Sequence, residues 1–272
     1  MSTAILEGGE GPPIVLLHGQ GGFAGMWLPI LPDLVTTNRV IAPDLPGLGA
    51  SEAPDRPRDA NSVLAWLGEL IDQTCETAPA VVGISLGASI AARFAVDPGR
   101  RASGGRVGKE FERLARLVLV DAGSLGPFRP APGVLLALIR HSARPTQRSA
   151  LRLLRQVTVD IERLRQVMGE RWEPFLTYML DRSRTPSVQK ANRRLLRKLG
   201  IPAIPPDDLA RISVPTMLIW GRHDRVMRLA AAQEASARYG WALHVIEDAG
   251  HISPGDQPQA FLVALRAALG TS

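Results

Sequence analysis

The chain has 272 residues, 45% of them apolar, enough for one large hydrophobic core and too apolar for a disordered polymer. Its formal charge of +6 is unevenly placed: residues 125–211 hold 17 Lys and Arg against 7 Asp and Glu, and the remainder holds 15 against 19. Basicity confined to one middle segment, without a zinc-finger, phosphate-loop or aromatic single-strand pattern, argues against nucleic acid as partner.

The opening MSTAILEGGEG lacks the basic and apolar segments of a signal peptide. No apolar run approaches the length of a membrane span, so a cytoplasmic location is the default expectation. The single cysteine, Cys75, has no internal disulfide partner and reads as a small residue of a helix. The five histidines show no HExxH spacing, and no metal site is expected.

In chain order, Pro13 to His18 (PIVLLH) is a continuous apolar run that reads as a buried parallel strand ending in the loop HGQGG. Arg39 to Asp44 (RVIAPD) repeats the pattern before LPGLGAS. Between Ser62 and Cys75, Val63, Leu64, Leu67, Leu70 and Ile71 recur at helical spacing. Ala80 to Ile84 is a short strand, Leu86 to Ala95 a helix rich in small residues, and Leu114 to Val120 a strand ending in DAG. The segment Pro98 to Lys109 (PGRRASGGRVGK) reads as an irregular excursion.

After Ala122 the alternation stops for almost ninety residues. Stretches near Val134 to His141, Thr146 to Val159, Ile161 to Met168, Trp172 to Asp181 and Ser187 to Leu199 are helical in period, with Pro145, Pro174 and Pro186 near their starts. Strand, helix, strand and helix follow over Pro215 to Trp220, Leu229 to Tyr239, Ala242 to Ile246 and Gln257 to Leu269. The expected class is α/β, a mostly parallel sheet flanked by helices. The core spans residues 1–123 and 213–272, and a helical cap, 124–212, lies over the carboxyl ends of the strands.

Gly83-Ile84-Ser85-Leu86-Gly87 matches G-x-S-x-G between a strand and a helix, the setting in which a serine is lifted onto a sharp turn as a nucleophile. A hydroxyl needs a base, and His251, in DAGHISPG after the strand at 242–246, is the candidate. Asp224, in WGRHDRV, is the candidate orienting carboxylate, and Asp121 is the alternative acid. His223 adjoins Asp224 too closely for both to converge on Ser85. In HGQGG the backbone N–H of Gln20, with that of Leu86, is positioned to hold a developing oxyanion; the Gln20 side chain can also touch substrate, and His18 reads as a loop organiser. The glycine-rich DLPGLGAS lacks both P-loop and dinucleotide spacing, so it reads as a turn and no cofactor is expected.

These segments together resemble the α/β-hydrolase superfamily, especially its small bacterial cap-bearing members. HGQGG is similar to the oxyanion loop, DLPGLGAS to the D-x-P-G-x-G-x-S turn, GISLG to the nucleophile elbow, WGRHD to the acid loop and AGH to the histidine loop. The resemblance covers about Pro12 to Leu269 and implies catalytic roles for Ser85, Asp224 and His251, with Gln20 and Leu86 as oxyanion donors. One departure is that only twelve residues precede Pro13, so the first family strand is expected to be missing and Thr3 to Leu6 to form a shortened edge strand.

The implied reaction is hydrolysis of a carboxylic ester or related acyl substrate through an acyl-enzyme. Lactone, thioester and carbon–carbon bond hydrolysis and acyl transfer are compatible alternatives. A serine where haloalkane dehalogenases and epoxide hydrolases need an aspartate argues against both. A non-catalytic receptor and a cofactor-free oxygenase on the same fold are the remaining readings. Leu135, Leu136, Ile139, Trp172, Phe175, Tyr178 and Met179 either line an apolar pocket or pack the cap, with packing preferred for each. Arg129, Arg140, Arg144, Arg148, Arg152 and Arg155 are candidates to recognise an anionic group on a small acyl substrate or an acidic carrier protein, a solvated surface being their other reading. Oligomeric state is not legible.

Overall fold

The structure, a computed structural model, describes residues 2–53, 60–96 and 114–270; the segment Pro98 to Lys109 lies outside them. Seven strands form one sheet: β1 (Ile5–Gly8), β2 (Pro13–Leu17), β3 (Arg39–Pro43), β4 (Ala80–Ile84), β5 (Arg116–Val120), β6 (Thr216–Gly221) and β7 (Ala242–Ile246), in the order β1-β3-β2-β4-β5-β6-β7. Every pairing is parallel except that of the edge strand β1 with β3.

The helices in chain order are α1 (Leu31–Leu34), α2 (Ala60–Thr74), α3 (Leu86–Val96), α4 (Pro132–Ala143), α5 (Gln147–Val157), α6 (Ile161–Met168), α7 (Trp172–Arg184), α8 (Pro186–Leu195), α9 (Pro206–Leu209), α10 (Leu229–Tyr239), α11 (Ser253–Asp256) and α12 (Pro258–Leu269). Cys75, just after α2, is half-buried, and burial pushes its thiol up.

Strands β2 and β4 are buried at every residue, which explains their unbroken apolar sequences: a sheet covered on both faces leaves no position for a polar side chain. Alternate residues divide between two cores. Val15, Leu17, Ile41, Val81 and Leu119 pack with α2, α3 and α10. Ile14, Leu16, Val40, Val82 and Val118 pack with Trp27, Leu34 and α12.

The shortened amino-terminal edge exists, displaced two residues from its expected place, over Ile5–Gly8. Ahead of it, the Ala4 carbonyl still accepts from Asp44 N–H at 2.8 Å, while side chains take the other groups: Trp66 Nε1 donates to Thr3 Oγ1 at 3.0 Å, and Ala4 N–H to Ser51 Oγ at 3.0 Å.

Helices α4 to α9 lie between β5 and β6, with a third apolar core of their own built on Ala150, Leu154, Leu164, Met168, Trp172, Leu176 and Leu180. Local signals set their starts. Thr146 and Ser149 form a reciprocal capping box on α5, Asp160 caps α6, and Pro132 and Pro186 begin α4 and α8. The helix expected to run from Ser187 to Leu199 ends as an α-helix at Leu195 and widens into a π turn over Leu196–Gly200. The wider turn seats Leu195 and Leu199 in the core beside α3, and Ser124 Oγ donates to the Leu199 carbonyl at 2.9 Å.

Candidate active site

Ser85 joins β4 to α3 at φ 54°, a left-handed conformation that costs a non-glycine residue on the order of 1 kcal/mol. Three backbone bonds hold it there: Ser85 N–H donates to Val120 O at 3.0 Å, while its own carbonyl accepts from Ser89 N–H at 3.0 Å and Gly123 N–H at 3.2 Å. The flanking glycines are required by contact. A Cβ on Gly83 would lie 2.5 Å from the Gly87 backbone, and one on Gly87 would lie 2.2 Å from the Leu17 carbonyl oxygen. The serine is thus fixed where the sheet end and the helix start meet, with Leu86 as the first residue of α3.

The loop after β2 closes as a tight turn, Gly22 N–H donating to Gly19 O at 3.2 Å with Gly21 at φ 65°. His18 organises this loop, as its position suggests. It is fully buried, its Nδ1 lies 2.8 Å from Gly19 O, and Leu45 N–H donates to its Nε2 at 2.9 Å. The acceptor role of Nε2 leaves the proton on Nδ1, and burial lowers the ring's pKa, so His18 stays neutral. The DLPGLGAS segment is a turn. Asp44 accepts from Ala24 N–H at 2.6 Å and Ala50 N–H at 2.7 Å, and a Cβ on Gly49 would strike that carboxylate at 2.1 Å.

Asp224 follows β6 and His251 follows β7. The two loops touch so closely that a Cβ on Gly221 would lie 2.0 Å from Gly250 O. Asp224 uses its two oxygens differently. Oδ1 accepts from Val226 N–H at 2.7 Å and Met227 N–H at 3.0 Å, while Oδ2 is 2.8 Å from His251 Nδ1. The carboxylate accepts, so the ring donates from Nδ1 and Nε2 is left for the other side. His251 is further fixed by its N–H donating to Val157 O at the end of α5, at 2.8 Å. His223 is exposed, and its backbone N–H donates to Ala249 O at 2.9 Å.

Asp121, at φ 43° and fully buried, bonds elsewhere: Oδ1 accepts from Gly221 N–H at 2.8 Å and Oδ2 from Ser253 Oγ at 2.9 Å. Desolvation first, and the neighbouring Asp224 charge second, raise its carboxyl well above the ordinary carboxylate range.

Ser85, Gln20, Leu86 and His251 border one cavity of about 240 Å³, and Asp224 stands behind the ring of His251. Its far wall comes from the inserted helices and is largely apolar, with Val134, Leu138, Phe175 and Met179; polar groups enter at His141, Arg182, Gln189, Asn192 and Arg193. Of the apolar residues singled out in the sequence, Phe175 and Met179 therefore border the cavity. Trp172 packs in the core of the insertion, and Tyr178 lies against Phe23, with Arg182 over its ring at 5.6 Å. Leu135, Leu136 and Ile139 do neither and face outward, 46%, 47% and 57% exposed. None of the six arginines from Arg129 to Arg155 borders the cavity; Arg182 and Arg193 take that place.

Two residues that the sequence did not single out brace the site. Asn192 of α8 accepts from Gly21 N–H through Oδ1 at 3.0 Å, tying an inserted helix to the loop of Gln20. Asp256 accepts from Gly250 N–H at 2.7 Å and from Val159 N–H at 3.2 Å, binding the loop of His251 to the end of α5. An acid six residues after a loop glycine was the visible sign of Asp256; Asn192 carried none. Among the described residues no group of three or more His, Cys, Asp or Glu is placed to hold a metal ion, and no helix is long and apolar enough to cross a membrane.

The profile of the alpha/beta hydrolase family matches residues 14–265. The chain is 27% identical to the pimeloyl-[acyl-carrier protein] methyl ester esterase of Aeromonas hydrophila over 96% of this chain and 97% of that protein. It is 28% identical to the 2-hydroxy-6-oxo-6-phenylhexa-2,4-dienoate hydrolase of Comamonas testosteroni over 94% and 86%. The solved 2-hydroxy-6-oxo-6-phenylhexa-2,4-dienoate hydrolase of Rhodococcus sp. strain RHA1 superposes with a TM-score of 0.79 at 23% identity, over 99% of this chain and 100% of that one. Sheet order, elbow and sequence profile agree, and the chain belongs to the alpha/beta hydrolase family.

Proposed function

We propose that the chain is a serine hydrolase that cleaves a carboxylic ester or related acyl substrate, with Ser85 as nucleophile, His251 as base and Asp224 as orienting acid. The observation that carries this reading is the 2.8 Å contact of His251 Nδ1 with Asp224 Oδ2, made by a ring that shares its cavity with the strained Ser85. His251 Nε2 takes the Ser85 proton as Oγ attacks the acyl carbon. Charge moves onto the former carbonyl oxygen, where the N–H groups of Gln20 and Leu86 stabilise it. Collapse breaks the bond to the leaving group, which takes the proton from His251 Nε2. Water then enters and loses a proton to the same nitrogen as its oxygen bonds to the acyl carbon; the bond to Ser85 Oγ breaks, Nε2 returns the proton to Oγ, and the acid leaves.

Residues 124–212 act in this reading as a cap over a core made of 1–123 and 213–272. The apolar wall suits an aliphatic or aromatic acyl body. Arg182 and Arg193, with Gln189 and Asn192, suit a polar or anionic end, presented by a free molecule or by an acidic carrier. Carbon–carbon bond hydrolysis is the second reading, favoured by the similarity to the Comamonas hydrolase; the same serine would then attack a ketone and expel a carbon leaving group.

The test is intact-protein mass after treatment with a fluorophosphonate, in which Ser85 Oγ bonds to phosphorus and fluoride departs. One adduct is expected, absent from Ser85→Ala and strongly slowed in His251→Ala. No adduct on a protein whose cavity admits the probe would overturn the reading in favour of a ligand receptor. A screen of neutral and anionic esters beside a vinylogous diketone then separates the ester reading from the carbon–carbon one.

A further inference from the structure

Helix α4 is apolar on two sides. Facing inward, Val134 and Leu138 border the cavity that holds Ser85, and Ala137 is buried. Facing outward, Leu135, Leu136 and Ile139 are 46%, 47% and 57% exposed, three of the seven large apolar side chains that are exposed among the described residues. Single exposed leucines are ordinary, but three within five residues of one helix form a patch, and a helix apolar all round is normally buried all round.

The charge along this stretch of chain has one sign. From Ala122 to Val159 the chain carries six arginines and no Asp or Glu, and all six are exposed. Two copies meeting through this face would set one arginine cluster against another, so the field opposes self-association and favours an anionic partner. Shape selects further. Side chains at i, i+1 and i+4 stand out from one helix as a ridge. A protein partner must offer a preformed slot for a ridge, whereas the headgroup and acyl boundary of a lipid layer deforms around it, and arginine stems reach back from there to phosphate.

We propose that the outer face of α4 docks on an anionic lipid surface, with Leu135, Leu136 and Ile139 at the acyl boundary and Arg140 and Arg144 against the headgroups. Docking there sets the apolar wall of the cavity one helix thickness from a store of apolar substrate. The chain remains peripheral, held by a ridge and by charge.

The test is co-sedimentation of the full chain with vesicles of phosphatidylcholine alone and of phosphatidylcholine with phosphatidylglycerol. It reads binding rather than turnover, and it applies equally to Ser85→Ala, so its outcome is separate from that of the nucleophile assignment. Wild type is expected to sediment with the anionic vesicles, and less so in high salt. The triple variant Leu135→Gln, Leu136→Gln, Ile139→Gln keeps every charge and should bind about tenfold more weakly or worse, while still hydrolysing a water-soluble short-chain ester. Arg140→Gln with Arg144→Gln should weaken binding and flatten its salt dependence. No binding of wild type to anionic vesicles overturns the proposal, as does binding that the triple glutamine variant leaves unchanged. Self-association through the ridge, or capture of an acidic protein by the ridge without vesicle binding, overturns it as well.

Discussion

Replacing Asp224 by Asn separates two jobs that the structure gives to two oxygens. Oδ1 holds the backbone N–H groups of Val226 and Met227, at 2.7 and 3.0 Å, and Oδ2 faces His251 Nδ1 at 2.8 Å. The asparagine keeps its oxygen on the two backbone donors and turns its NH₂ toward the ring. Two donors then face each other, and the imidazole escapes by moving its proton to Nε2, the atom that accepts from Ser85 in the proposed reaction. Loss of general-base assistance and of ring orientation should lower kcat by about 10³ to 10⁴-fold, equivalent to roughly 4 to 5.5 kcal/mol of transition-state stabilisation. KM should stay within about threefold, because a uniform-binding contact is not removed and Asp224 does not border the cavity. Asp121→Asn is the paired control. Burial holds that carboxyl toward its neutral form, and an amide can still accept from Gly221 N–H and bond to Ser253, so kcat should fall by less than about threefold. Steady-state hydrolysis of a chromogenic ester, alongside the rate of fluorophosphonate labelling, measures both variants. Retention of more than about a tenth of kcat in Asp224→Asn would refute the tautomer argument; an equal collapse in Asp121→Asn would transfer the acid's role to that residue.

Other perturbations reach the same site from its supports. Gly87→Ala places a Cβ 2.2 Å from Leu17 O, so α3 or the end of β2 must retreat until the contact passes 3.0 Å; we expect about 1 to 3 kcal/mol of destabilisation in denaturant melts and at least a tenfold loss of kcat, since the same shift moves Ser85 relative to Gln20. Asn192→Ala frees Gly21 N–H and loosens the Gln20 loop from α8; kcat should drop about three- to tenfold with KM nearly constant, and an unchanged kcat would show that the loop holds itself. Asp256 has its pKa raised to about 6, mainly by burial, so the folded state binds a proton that the unfolded state has released. Its contribution therefore favours folding below the ordinary carboxylate range and is lost as pH rises through about 6, on the order of 3 kcal/mol across the window. Asp256→Asn removes that titration, and its stability relative to wild type should climb between pH 4 and pH 6; a constant difference would mean that Asp256 ionises freely in the fold.

What could be read from the sequence divides by the kind of constraint. The strands at 13–17 and 80–84 were legible because double burial permits only apolar side chains, and the elbow because backbone packing excludes any Cβ at Gly83 and Gly87. The outward turn of Leu135, Leu136 and Ile139 was not legible: a helix apolar on both sides has the same period whichever side faces in. The arginines misled for a related reason. Their density drew attention to the stretch from Arg129 to Arg155, yet Arg182 and Arg193 reach the cavity because Leu154, Trp172, Leu176 and Leu180 pack α7 against α5, while Val188, Ala191 and Leu195 pack α8 into the core shared with α3. Asn192 shows the limit most clearly. In a run of polar residues on α8 it has the pattern of a solvated face, and its partner Gly21 is 171 positions away. A contact of that kind is decided by where the insertion settles on the core. The chemistry proposed at Ser85 is therefore encoded in loops that each strand end fixes locally, while the shape of the cavity around Ser85 is encoded in helix packing. Among relatives that share the first and differ in the second, substrate preference should follow the residues at positions such as 182, 192 and 193 more closely than the motif residues themselves.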